Sequence, residues 1–349
     1  MEIVYSFDLL ILMVTLTSVT LQVYLFFTVI FKSPTNMSQY RYFLCLFTFW
    51  DCFYNITVGL ILCPEILLPA PAALMHGFAM ELIELFGHGF NKILGSMILW
   101  GGADVIQLQT YCLMYRFCAI HPNPNLLKMF MSWPGLIVFH ILGYAIAFSV
   151  TVPAYICVLD EEKANYLIAT LPPESLVNKG PRTPIIFFDM HCPVLYEGCI
   201  YIFVLFFVSI VLGFFMAIHI IVYLRKHASS FTKKTYKMHL QLTVILIVQQ
   251  ITPILFLIFP IVAIAFIALH SDGSINISKA AFNTGVIIMT LYPATNALIC
   301  IIFITPYWNF TKQWVSWILY KLRIIKKQWG DDQRTVVMLS NISSMTYAG

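Results

Sequence analysis

Asp51 and Asp104 are acids set near the middle of long apolar stretches. An ionisable side chain at that depth is costly and by default marks an ion or proton site, or a conformational lock. A protonated acid that merely hydrogen-bonds two helices is the plainer reading. Gln107 and Gln109 share the Asp104 stretch, and Gln249 and Gln250 lie in a later one. Interhelical bonds from such side chains contribute about 0.6 kcal/mol each, which makes the glutamines structural glue. Pro253 and Pro260 each remove a backbone donor and should kink the helix that carries them. Together with Asp51 they form a candidate conformational switch. Tyr115-Arg116-Phe117 closes the Asp104 stretch, where a snorkelling arginine in an aromatic belt would account for it.

Other chemistry has no carrier. The sequence contains no Gly-rich phosphate loop, no His-Glu-x-x-His, no paired-cysteine metal spacing and no nucleophile elbow, and its nine histidines are dispersed. No catalytic residue, metal or cofactor is expected, and an enzyme is poorly supported.

The elements that hold these residues follow from composition. Of 349 residues, 60% are hydrophobic and only 10% charged, with a mean hydropathy of +0.84. A soluble chain has about 25% charge. Too few charges remain to cover a water-exposed surface. A nucleic-acid binder, a disordered chain and a secreted disulfide scaffold are excluded on the same ground. About 20 apolar residues cross a bilayer as a helix. Such stretches run over 9–31, 42–62, 91–119, 131–158, 199–224, 240–269 and 281–304. The expected fold is all-α, a seven-transmembrane helix bundle. Residues 62–80 are also apolar, but Pro64, Pro69 and Pro71 make them a poor helix.

Lys and Arg in short loops fix the orientation. With the N-terminus outside, the inner segments hold most of the 20 bases, including Lys32, Arg41, Arg116, Lys128, Arg225 to Lys237, and Lys312 to Arg334. Only Lys92, Lys163, Lys179, Arg182 and Lys279 fall outside. The C-terminus is then cytoplasmic, facing the anionic inner leaflet. Of the glycosylation sequons, Asn276 alone lies in an expected outer loop. The chain divides into a seven-transmembrane domain over 1–310, an interfacial amphipathic helix over 311–329 and a disordered cytoplasmic tail over 330–349. Phe310, Trp314, Trp317 and Ile318 approximate one face of that interfacial helix.

Several short motifs occur in a telling order between residues 9 and 310. Tyr115-Arg116-Phe117 precedes His121-Pro122-Asn123-Pro124, and Ser229 to Gln241 follows. Gln249-Gln250-Ile251-Thr252-Pro253 comes next, then Tyr292-Pro293-Ala294 ahead of Phe303-Ile304-Thr305-Pro306-Tyr307-Trp308. In these the chain resembles the nematode serpentine chemoreceptors of the Str superfamily, which are seven-transmembrane G-protein-coupled receptors. Trp308 departs from the basic residue that the family carries there.

The resemblance implies a chemosensory, olfactory-type receptor of the plasma membrane, in sensory cilia, that binds a small external molecule and activates a heterotrimeric G protein. Expected ligand-lining residues in the outer half of the bundle, chosen by depth, are Ile98, Trp100, Tyr201, Phe256, Phe259, Asn283 and Ile287. Expected G-protein contacts are Tyr115, Arg116, Lys233, Lys234 and Lys237. The usual receptor disulfide lacks its cysteine near Asn91, so Cys192 pairs with Cys63 or with Cys157. A seven-helix ligand-gated channel or transporter is the alternative. It would place Asp51 and Asp104 on one water-filled pore.

Overall fold

The computed structural model describes residues 2–33, 38–67, 72–87, 89–170, 184–189, 191–230, 232–260 and 275–322. The apolar stretches form the expected long helices: α1 (Glu2–Lys32), α2 (Ser38–Ile56), α4 (Phe90–Ile120), α6 (Trp133–Cys157), α8 (Pro193–Lys226), α9 (Lys233–Pro253) and α10 (Ile275–Phe303). Short helices α3 (Ala79–Phe86), α5 (Pro124–Phe130) and α7 (Glu161–Thr170) lie between them, and α11 (Thr305–Lys321) follows α10. Six of the described helices are long and apolar enough to cross a membrane. The seventh bundle helix, α4, carries Asp104, Gln107 and Gln109, and it packs against α2, α6, α8 and α9. Its neighbours cover it, so its polar side chains are tolerated.

The helix junctions explain one of the sequence motifs. In His121-Pro122-Asn123-Pro124, the Asn123 side chain accepts from the Asn125 amide at 3.0 Å and Pro124 opens α5. This is a standard cap with proline at the first helical position. Ser132 caps α6 and Thr232 caps α9 in the same way. These three helices therefore have defined starts.

Residues 62–80 are not a helix, but they are not a plain loop either. Strand β1 (Pro64–Leu67) pairs antiparallel with β2 (Ala72–Met75), and β3 (Ile185–Phe187), from the segment before α8, adds to β2. The sheet caps the end of the bundle where α1 begins. Cys63, at φ 42°, makes the tight exit from the π turn Thr57–Leu62 that ends α2. Cys157 and Cys192 are bonded, which tethers the end of α6 to the start of α8. Cys63 stays a free thiol, so of the two pairings open to Cys192 the structure selects Cys157.

Some boundaries differ from the sequence reading. The helix of the fifth span begins at Pro193, ahead of the expected 199, because a proline can open a helix without losing a bond. The helix after the seventh span begins at Thr305 rather than 311, again with a proline, Pro306, in its first turn. Asn276 lies in the first turn of α10 rather than in a loop. Residues 261–269 of the expected sixth span and the whole 330–349 tail lie outside the described residues.

Candidate functional site

Polar side chains on three helices meet in the bundle interior. Pro253 has no amide hydrogen, so the carbonyl four residues back, Gln249, loses its helical donor. The Thr252 hydroxyl stands 2.8 Å from that carbonyl and 2.9 Å from Asn296 Oδ1 on α10. Asn296 Nδ2 in turn donates to Asp51 Oδ2 on α2 at 3.3 Å. A single chain of polar contacts thus joins the proline break of α9 to Asp51. Gln249 extends it by donating to Cys300 Sγ at 3.2 Å. Beyond Pro253 the helix does not continue directly in α geometry. It runs as a π turn, Ile254–Ile258, closed by the Phe259 amide on the Ile254 carbonyl. Pro260, buried, follows directly.

Nearer the end where α9 begins, Arg116 is 3% exposed. Its guanidinium carbon lies 4.0 Å from the centre of the Tyr40 ring, which covers it from α2. Tyr115 packs on Tyr40 and on Phe43, with ring centres 5.8 and 5.4 Å away. Nε and Nη2 of Arg116 have no hydrogen-bond partner. A desolvated, under-bonded guanidinium gains from the ring quadrupole and would gain more from an acceptor. Lys233 and Lys237 lie exposed on the first turns of α9. Lys234 shares that helix, but its side chain lies outside the described residues. Gln241 clasps the α10–α11 junction through the Phe303 carbonyl and the Thr305 hydroxyl.

The ligand-lining residues chosen by depth do not converge. Ile98 and Phe256 pack on the main core, and Ile287 packs with Phe7, Ile11 and Cys63 near the sheet. Asn283 Oδ1 is buried without a partner. Trp100 instead stacks on Tyr144 of α6, and Tyr201 bonds Ser149 on the outer surface of α6 and α8. Phe259 is 64% exposed. Tyr201 and Phe259 are thus exposed, while Trp100 is half-buried against α6, and depth alone does not say which face of a helix a residue takes.

The two acids of the apolar spans also separate. Asp51 faces Asn296, whereas Asp104 lies in a crevice between α2, α4 and α6 whose lining does not include Asp51. The crevice at Asp104 thus gives no direct link to Asp51.

At the sheet end, His76 Nε2 lies 2.9 Å from Glu65 Oε2, bridging β1 to the residue after β2. Burial pushes the neighbouring Cys63 thiol up to about 12. Lys92, opening α4, pairs with Asp160 at 2.6 Å and holds that exposed carboxyl below its ordinary range.

Sequence reasoning named Asp51, Arg116 and Pro253 but missed Tyr40, Thr252 and Asn296. Thr252 carried a usable signal, a hydroxyl beside a helix proline, since such hydroxyls often satisfy the backbone that proline frees. Asn296 is an amide within an apolar span. Tyr40, at the span edge, carried none.

Comparison with known proteins agrees with this architecture. Residues 5–317 match the family described as serpentine type 7TM GPCR chemoreceptor Srh. The motifs had pointed to serpentine chemoreceptors, and Srh is the family among them that the match identifies. The crystal structure of squid rhodopsin superposes with a TM-score of 0.63 at 16% identity, covering 96% of this chain and 85% of that one. At that identity the likeness concerns the fold alone. No curated protein matches the sequence.

Proposed function

The chain belongs to the Srh family of serpentine seven-transmembrane chemoreceptors, and from that premise we propose that it binds a small external molecule and passes the signal to a heterotrimeric G protein. Arg116 held under Tyr40 carries the reading. It is a charge kept in reserve at the end of the central helix, beside a helix that two prolines weaken. Ligand binding in the outer half of the bundle favours a state in which α9 swings outward at Pro253 and Pro260. The crevice so opened exposes Arg116 to carbonyl acceptors at the end of a G-protein helix, with Lys233, Lys234 and Lys237 at its edge. Ile98, Phe256, Asn283 and Ile287 remain the candidate ligand contacts, while Tyr201 and Phe259 are exposed and Trp100 packs on α6. The receptor resides in the plasma membrane, N-terminus outside.

The test is nucleotide exchange on a co-expressed G protein, driven by a ligand found by screening. Arg116→Ala should abolish ligand-dependent exchange while surface expression persists. Exchange at the wild-type level would refute the coupling role.

A further inference from the structure

A narrow polar crevice opens on the membrane-facing side of α2, α4 and α6, in a place the receptor mechanism leaves unused. Asp104 forms its floor and is only 4% exposed. The Trp100 indole lies beside the carboxyl, and Oδ2 is buried with no partner. Trp50 of α2 and Tyr144 of α6 form the walls, with ring centres 6.4 Å apart. Tyr144 also stacks on Trp100 at 6.5 Å and on His140 at 6.2 Å.

Three of the other polar side chains around it are already engaged. Tyr111 donates to the Phe139 carbonyl at 2.7 Å and meets the Gln107 amide at 2.5 Å. His140 Nε2 meets the Tyr42 hydroxyl at 2.8 Å. Gln107 lies flat against α6 because residue 143 is glycine, where a Cβ would sit 2.3 Å from its Nε2. Asp104 Oδ2 is the buried acceptor there that has no partner. The free volume above it, about 10 Å³, holds one small polar group. Outside the mouth, Phe49, Ile141 and Phe148 are each more than half exposed, a surface for an apolar chain.

We propose that this crevice binds the head of a lipophilic amine that enters from the bilayer. A carboxylate with one open oxygen, walled by aromatic rings, suits a cation. A lone charge is too costly at this depth, so the partners arrive neutral. One proton then passes from the Asp104 carboxylic acid to the amine nitrogen. The product is an ammonium–carboxylate pair, and net charge does not change. An alcohol of the same chain would donate one hydrogen bond to Oδ2 but gain neither the ion pair nor the ring contacts. This site is separate from the signalling ligand's, and it stands or falls independently of G-protein coupling.

The test uses the full-length protein in nanodiscs with two photoreactive probes, a diazirine-bearing long-chain alkylamine and the alcohol of the same chain. Labelled peptides are mapped by mass spectrometry. The amine should label peptides carrying Trp50 and Tyr144 saturably, and at least tenfold more than the alcohol does. Asp104→Asn should reduce amine labelling at least tenfold, while Asp51→Asn, a change at the other acid within a span, leaves it intact. Equal labelling by the two probes, or amine labelling that survives Asp104→Asn, overturns the proposal. Tyr144→Leu keeps the carboxyl and removes one wall, which guards against misfolding of the asparagine variant. It should cut amine labelling several-fold and spare the alcohol's, and unchanged amine labelling would also overturn the proposal.

Discussion

The Thr252 hydroxyl stands 2.8 Å from the Gln249 carbonyl, the one backbone acceptor in α9 that Pro253 leaves without its helical donor. The same hydroxyl reaches Asn296 Oδ1 at 2.9 Å. It has one proton for two acceptors, so it can favour α9 or α10, and a shift of α9 changes which one it serves. The proline break is therefore wired to the neighbouring helix rather than simply loose.

Thr252→Val should test that wiring. The valine keeps the shape but strands a buried carbonyl and a buried amide oxygen, at about 1–3 kcal/mol for the loss of one partner. A lowered melting temperature in detergent, together with altered basal nucleotide exchange, is expected. Pro253→Ala restores the amide donor and should straighten the π turn that follows. Ligand-driven exchange should then fall while stability holds or rises. Unaltered basal and agonist responses in Pro253→Ala would remove it as a hinge.

At Asp51, the Asn296 amide contact makes a graded prediction. Asp51→Asn keeps an acceptor in place and should stay within about 1 kcal/mol of the parent, whereas Asp51→Leu strands Asn296 Nδ2 at a cost of about 1–3 kcal/mol. Thermal unfolding of the two variants side by side reads the difference. Equal losses would mean that the contact contributes nothing.

Tyr40→Leu should uncover Arg116. Cation–π contacts contribute about 0.5–2 kcal/mol, so removing this one should raise basal exchange roughly 2- to 30-fold if the covered state is the inactive one. Tyr40→Phe keeps the ring and should stay near the parent. Basal exchange measured without ligand separates the two.

Much of this arrangement was legible in the residues. Bilayer spans announce themselves by length, and Arg116 and Pro253 by type. Helix rotation was not legible, for a physical reason. A soluble helix shows its core face by contrast with a polar face, but Phe203, Phe207 and Val211 on α8 face outward and are as apolar as the core. Depth alone therefore could not show that Phe259 faces outward or that Trp100 stacks against α6. The outer sheet was hidden too. Pro64–Leu67 and Ala72–Met75 are four residues each, too short to show alternation, and β3 comes from a distant segment.

The Lys92–Asp160 pair supplies a pH prediction. Lys92 holds the folded-state pKa of Asp160 below its ordinary value. The stabilisation is therefore complete above the unfolded carboxyl pKa, and it is lost only as pH falls through the lower, folded one. Because Asp160 is exposed, water and salt screen the pair. Asp160→Asn should leave the melting temperature unchanged within scatter between pH 5 and 8. A clear drop in that window would show that the pair anchors α4 more firmly than its exposure allows.

The cysteines make the sharpest contrast, because chemistry and position separate them completely. Cys157 and Cys192 close a loop of 35 residues between α6 and α8. In the chain-entropy account a crosslink over that separation contributes up to about 4 kcal/mol, and removing one commonly costs 2–5. Cys192→Ser, or mild reduction, should lower the melting temperature by several degrees. Cys63 lies close by at the sheet, but as a free, buried thiol pushed up to about 12. Only the thiolate attacks a maleimide or a disulfide, so Cys63 should resist both at neutral pH in the folded receptor. Cys63→Ser should then leave ligand response unchanged, apart from a small packing cost. Rapid labelling of Cys63, or rescue of the Cys157→Ser variant by a Cys63–Cys192 bond, would show that the outer cap opens far enough to exchange partners.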